Sequence, residues 1–176
     1  MATMILLPNA NGVISSDWIP VGETAEWECL DDDNGNTSYV KCNDNLAIMG
    51  IEYANPSVVE ADIASIDSVR FLSSGKSTHR TDPSRVQIEY DTSGVSAYSE
   101  TVAYDAHRTD YETINGTARP YSDGSSAAWT YANLEALELT CTKQQTIEVY
   151  LSYLALEVTY TEAVAADNAT FFGANF

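Results

Sequence analysis

Residues 127–140 read AAWTYANLEALELT, and two local structures compete for them. Asn133 ahead of Leu-Glu-Ala-Leu-Glu has the form of a helix N-cap followed by strong helix formers. Leu134, Leu137 and Leu139, however, lead into Thr140, Cys141 and Thr142, residue types that favour strands. The choice bears on chemistry. On a helical turn Glu135 and Glu138 share a side and form a carboxylate pair of the kind glycosidases use. On a strand they have opposite parity and face opposite ways. The thread of β-favouring residues decides for strand entry: one loose turn capped by Asn133, then a strand in which Leu137 and Leu139 share the parity of Cys141. That separates the two glutamates, and a catalytic carboxylate pair is not expected.

The rest of the chain repeats the period of two. Val86, Ile88 and Tyr90 lie on one side of VQIEYD; Met49, Ile51 and Tyr53 on one side of AIMGIEY; Tyr98, Val102 and Tyr104 on one side of YSETVAY. VRFL adds Val69 and Phe71. This alternation belongs to antiparallel strands with one buried face. The longest run, QTIEVYLSYLALEVTYTE, carries Ile147, Val149 and Leu151 on odd parity. Leu154, Leu156, Val158 and Tyr160 take even parity, which predicts a β-bulge near Ser152-Tyr153. Turn signals at Asp33-Asn34-Gly35, Asn55-Pro56, Ser74-Gly75, Asn115-Gly116 and Asp123-Gly124 separate the runs. AEWEC reads as a further strand, with Cys29 on the parity of Ala25 and Trp27. PSVVEADIASI allows one short helical turn, and residues 105–128 read as a long loop or a pair of short edge strands. Many short punctuated strands and little helix predict an all-β sandwich or barrel.

The 176 residues suit one domain, with a β-sandwich over 1–161 and a C-terminal tail over 162–176. Lys and Arg number 8 against 26 Asp and Glu, a net charge of −18. Such a surface repels phosphate backbones and argues against a nucleic-acid partner; it suits high solubility or a basic partner surface. No apolar run approaches the ~20 residues of a membrane helix. The opening MATMILLPNANG lacks a basic region before its short apolar run, so a secretory signal is not expected and synthesis in a cytoplasm is. Three widely spaced cysteines, Cys29, Cys42 and Cys141, make neither a disulfide framework nor a zinc signature. Buried free thiols are the default. A Cys29–Cys42 bridge is the alternative, should the two face each other across a hairpin centred on Gly35-Asn36.

Chemistry-bearing motifs are sparse. His79 and His107 lie far apart in polar loops. No nucleophile elbow or phosphate-cradling glycine loop is present, and no cofactor is expected. LDDDNGN places Asp31 and Asp33 at the alternate spacing of calcium ligands, but Asn36 stands where the calcium loop needs glycine and Cys42 where it needs glutamate. Asp31 and Asp33 are weak calcium candidates; an acidic turn is the preferred reading. Tyr121, Trp129 and Tyr131 sit among amides and hydroxyls, the mixture a sugar platform uses; the plainer reading makes Trp129 a core plug. The tail ends on Phe171, Phe172 and Phe176, candidate assembly contacts on a small, polar stem.

Three stretches carry a resemblance: ILLPNANGVISSDWIPVGETAEWECLDDD, DIASIDSVRF, and RPYSDGSSAAWTYANLEALELT with the following VYLSYLALEVTY. Together they resemble a structural domain of tailed-phage virions over about residues 5–160. The resemblance implies a jelly-roll-like antiparallel β-sandwich of about eight strands. It further implies a capsid decoration (cement) protein on the outer capsid surface. Its expected partners are the major capsid protein and neighbouring copies of itself, with a trimer the preferred oligomer. A fibre adhesion module binding host surface glycans is the alternative. The resemblance supplies no catalytic residues.

Overall fold

The computed structural model describes residues 1–14, 17–32, 37–92, 96–106 and 109–164. Along these the strands are β1 (Ala2–Leu6), β2 (Pro8–Ile14), β3 (Ile19–Val21), β4 (Tyr39–Cys42), β5 (Ile48–Tyr53), β6 (Ile63–Ser77), β7 (Ser84–Thr92), β8 (Ser96–Tyr104), β9 (Glu112–Asn115), β10 (Leu137–Lys143) and β11 (Val149–Glu162), with one short helix, α1 (Tyr131–Glu135). They form two antiparallel sheets. One runs β3-β4-β11-β6-β9, with β1 also on β11; the other runs β2-β5-β10-β7-β8. The molecule is an antiparallel β-sandwich, one of the two forms the alternation predicts, and of the jelly-roll-like type that the resemblance implies. Eleven strands among the described residues replace the expected eight or so, because short edge strands such as β1, β3 and β9 carry too few residues to show a period.

The spine of the first sheet is the β6–β11 pair, in register from Val149↔Ser77 to Glu162↔Ile63. The predicted bulge is there: the register shifts between Leu151 and Tyr153. Past it, Leu154, Ala155 and Leu156 are buried in succession. Consecutive burial needs cover on both faces and along the edge. β4 pairs residues 149–151 of β11 and β1 pairs residues 156–160. In the gap between them, Leu154 donates its N–H to Leu30 O, 3.1 Å away.

Three buried tyrosines tie the sheets together through their hydroxyls. From the second sheet, Tyr53 donates to Leu154 O (3.2 Å), Tyr104 donates to Ser73 Oγ (2.9 Å), and Tyr90 accepts from the N–H of Phe71 (2.7 Å). Each ring fills core volume and each hydroxyl spans to β6 or β11, so every phenol group is satisfied.

Three local expectations are corrected. Trp27–Cys29 is a 3₁₀ turn, not a strand. It leaves no hairpin ladder to set Cys29 against Cys42, and all three cysteines are free and buried. Ser74-Gly75 lies inside β6 rather than at a turn. Gly75 is there because its neighbour is rigid: a Cβ would come within 2.6 Å of the Tyr104 ring and 2.8 Å of Leu151. The α1 N-cap is Thr130, not Asn133. Asn133 at the third helical position donates its N–H to Thr130 Oγ1 and returns its own Oδ1 to the Thr130 N–H, a closed capping box.

Candidate functional site

The stretch from Thr130 builds the site. α1 ends at Glu135, Ala136 alone makes the turn, and β10 starts at Leu137; Leu137, Leu139 and Cys141 enter the core. Alternation then sends Glu138, Thr140 and Thr142 to the outer face of the five-stranded sheet. Register does the rest. Glu138 lies directly opposite Glu52 of β5 on one side and Asp91 of β7 on the other. Three carboxylates thus stand in file across the three central strands. Like charges directly opposite are unfavourable. The ion pairs Arg70–Glu157, Arg119–Glu100 and His79–Asp82 all lie off the row.

Glu138 is held down rather than waving in solvent. Two glycines, Gly50 on β5 and Gly12 on β2, leave a slot in which its carboxylate lies, and a methyl group on either would collide with it. The carboxylate accepts the backbone N–H of Val13. Partial burial, followed by Asp91 and Glu52, pushes its proton affinity up; the Val13 hydrogen bond opposes this. Asp91 Oδ1 is closed off from solvent with no hydrogen-bond donor.

Beside the row is a groove of about 340 Å³ lined by Asn9, Glu52, Asn55, Glu135 and Glu138. This corrects the expected separation of the two glutamates. Glu135 lies on α1 and never enters the strand, so parity does not apply to it, and it borders the same groove as Glu138. Sequence spacing could not show this, since Glu52 and Asn55 arrive from β5 and the turn after it.

The other candidates fall elsewhere. Trp129 is 4% exposed; its indole N–H donates to Arg119 O at 2.8 Å and its backbone bridges Ile66, the position of a core plug. The Tyr131 hydroxyl donates to Val58 O at 3.2 Å. Tyr121, at 41%, is the exposed ring of the three, on a turn pinned by Asp123, which accepts the N–H groups of Ser125, Ser126 and Ala127. These hydrogen bonds hold the Asp123 carboxyl well below the usual carboxylate range. The three rings do not make one flat platform open to solvent. Asp31 borders a hollow with Glu23, Trp27, Glu28 and Asp32; burial, then the neighbouring Asp32, raises its pKa. Among the described residues no three His, Cys, Asp or Glu side chains converge to hold a metal. Asp33, His107, Phe171, Phe172 and Phe176 lie outside the described residues.

The sequence matches no protein-family model and no curated protein. Among solved structures, the chain is similar in outline to three carbohydrate-binding modules. The first is the CBM36-1 domain of a multidomain xylanase from the hindgut metagenome of Trinervitermes trinervoides (10% identity, TM-score 0.44, 92% of this chain and 100% of that one). The second is the C-terminal CBM6 of LamC, a marine laminarinase from Zobellia galactanivorans (10%, 0.46, 90% and 100%). The third is CBM35 from Cellvibrio japonicus Abf62 (12%, 0.44, 93% and 98%). These likenesses are loose, and the assignment of the fold rests on the two sheets themselves.

Proposed function

We propose that the protein is a non-catalytic β-sandwich module that works by attachment. In its specific form it is a capsid decoration protein that seats the outer face of its five-stranded sheet on a basic patch of the major capsid shell. The observation that carries this reading is the row Glu52–Glu138–Asp91. Folding alone gains nothing from three like charges in file, one of them pinned in a glycine slot and raised in pKa. A partner bearing Arg or Lys converts that local cost into attraction and adds orientation, because Glu138 is fixed before the partner arrives. The resemblance of the sequence to virion domains supplies the particle.

A second reading has its own observation. The groove offers two amides and three carboxylates, groups that hydrogen-bond sugar hydroxyls, and it would make the chain a glycan-binding adhesion module. One experiment separates the two. Binding to undecorated capsid shells and to a glycan array is measured for the wild type and for the triple variant Glu52→Gln, Glu138→Gln, Asp91→Asn. Attachment through the acidic face gives shell binding that weakens as salt rises and disappears in the variant. Salt-insensitive binding to neutral glycans, lost in the variant, overturns it in favour of adhesion. Turnover on a glycan panel that vanishes in Glu138→Gln would make the protein an enzyme instead.

A further inference from the structure

A sheet edge presents unpaired N–H and C=O groups, and proteins ordinarily blunt such edges with short strands, proline, bulges or cover. The edges of this sandwich differ in that respect. In the first sheet, β1, β3 and β9 are five, three and four residues long, and β3 contains Pro20. In the second sheet, β2 begins with Pro8 and its pairing with β5 shifts register twice. It is also covered by the 3₁₀ turn, whose Trp27 N–H donates to Asn11 Oδ1 at 3.0 Å while Asn11 Nδ2 donates to Glu26 at 2.7 Å.

The opposite edge, β8, is neither short nor broken by proline, and a single register shift near its start is its one irregularity. Its nine residues, Ser96–Tyr104, contain no proline and no lysine and run beside β7 with one register shift, at Tyr90/Asp91. Its single charged residue is already satisfied. Glu100 accepts Arg119 Nη2 at 3.0 Å and the Thr117 N–H at 3.0 Å, and the Arg119 guanidinium lies 4.7 Å from the Tyr98 ring centroid. The outward side chains Ser99, Thr101 and Ala103 are small, uncharged and exposed. On a chain of net charge −18, this is a strip along which another acidic molecule can approach.

We infer that β8 is an assembly edge that pairs antiparallel with β8 of a second copy of this chain, joining two five-stranded sheets into one of ten strands. The second copy is the fitting occupant because antiparallel self-pairing satisfies both backbones with one set of groups. A two-fold contact needs the same surface on each side, and this surface bears no net charge of its own. Such a contact is isologous and closes as a dimer, in place of the trimer expected from the sequence. The inference is independent of the proposed attachment face, which lies on the outer surface of the sheet rather than at its end.

The test combines sedimentation with cysteine scanning. The wild type should sediment as a dimer. Replacing Ser99 and Thr101 together by lysine should raise the dissociation constant at least about tenfold, with an unchanged circular dichroism spectrum. Cysteine placed singly at Ser99, Thr101 and Ala103 should cross-link two copies fastest at the residue nearest the two-fold, the native thiols being buried. A monomer at millimolar concentration, a trimer, or a dimer that survives the lysine pair overturns the inference. So does a dimer lost on deletion of residues 165–176 but kept in the lysine variant, which would assign assembly to the tail.

Discussion

Glu138 carries the most consequential single environment in the molecule. Its folded-state pKa is raised, so the native protein holds this proton more tightly than the unfolded chain does. The sign follows: with both states protonated at low pH there is no penalty. Stability falls as pH rises through the ordinary glutamate range to the folded-state pKa, and the penalty persists above it. Glu138→Gln keeps an acceptor for the Val13 N–H and removes the charge. It should therefore stabilise the protein at neutral pH by about 0.5 kcal/mol, the scale of a cross-strand like-charge contact, with the gain vanishing under acid. Denaturant midpoints of the two proteins at neutral and acid pH check it, and a destabilised variant at neutral pH would contradict it. Little of this was legible from residue spacing, because Glu52, Asp91 and both glycines come from other strands. The Trp129 question was half legible: composition around it admits a sugar platform beside the plainer core plug, and its burial with the Arg119 carbonyl that receives its N–H decides for the plug.

At the scale of the element, local signals succeeded where one strand's own pattern was enough. The bulge in β11 follows from the parity switch alone. They failed where the same residues serve two purposes. Ser-Gly usually marks a turn, but Gly75 sits mid-strand to admit the Tyr104 ring, a fact held by β8 and not by β6. Gly75→Ala forces a methyl group into that ring and Leu151 and should cost about 1–3 kcal/mol, the usual range for overpacking a core. Chemical denaturation measures it, and an unchanged midpoint would show that the Tyr104 ring can move aside. The capping box shows a subtler miss. Sequence alone puts the cap three residues late, because Thr130 and Asn133 are both good caps and each bonds the other's backbone. AEWEC misled for the opposite reason: its alternation is real, but the 3₁₀ turn buries Cys29 without strand pairing.

The whole molecule is set by long-range pairing, which the alternation announces without naming partners. That β1 and β2 belong to different sheets, with Leu7 alone between them, was not legible. Its charge was. A net −18 opposes compaction by self-repulsion, so added neutral salt should raise the melting temperature progressively and level off as the screening length falls to a few ångströms. A melting temperature that falls with moderate sodium chloride would refute this. The buried tyrosines have a consequence of a different kind. Burial raises the pKa of Tyr53, Tyr90 and Tyr104 above the ordinary phenol value, so the packed sheets resist the ionisation of these phenols. In alkali the rate at which their phenolate absorbance appears becomes a clock for the parting of the sandwich.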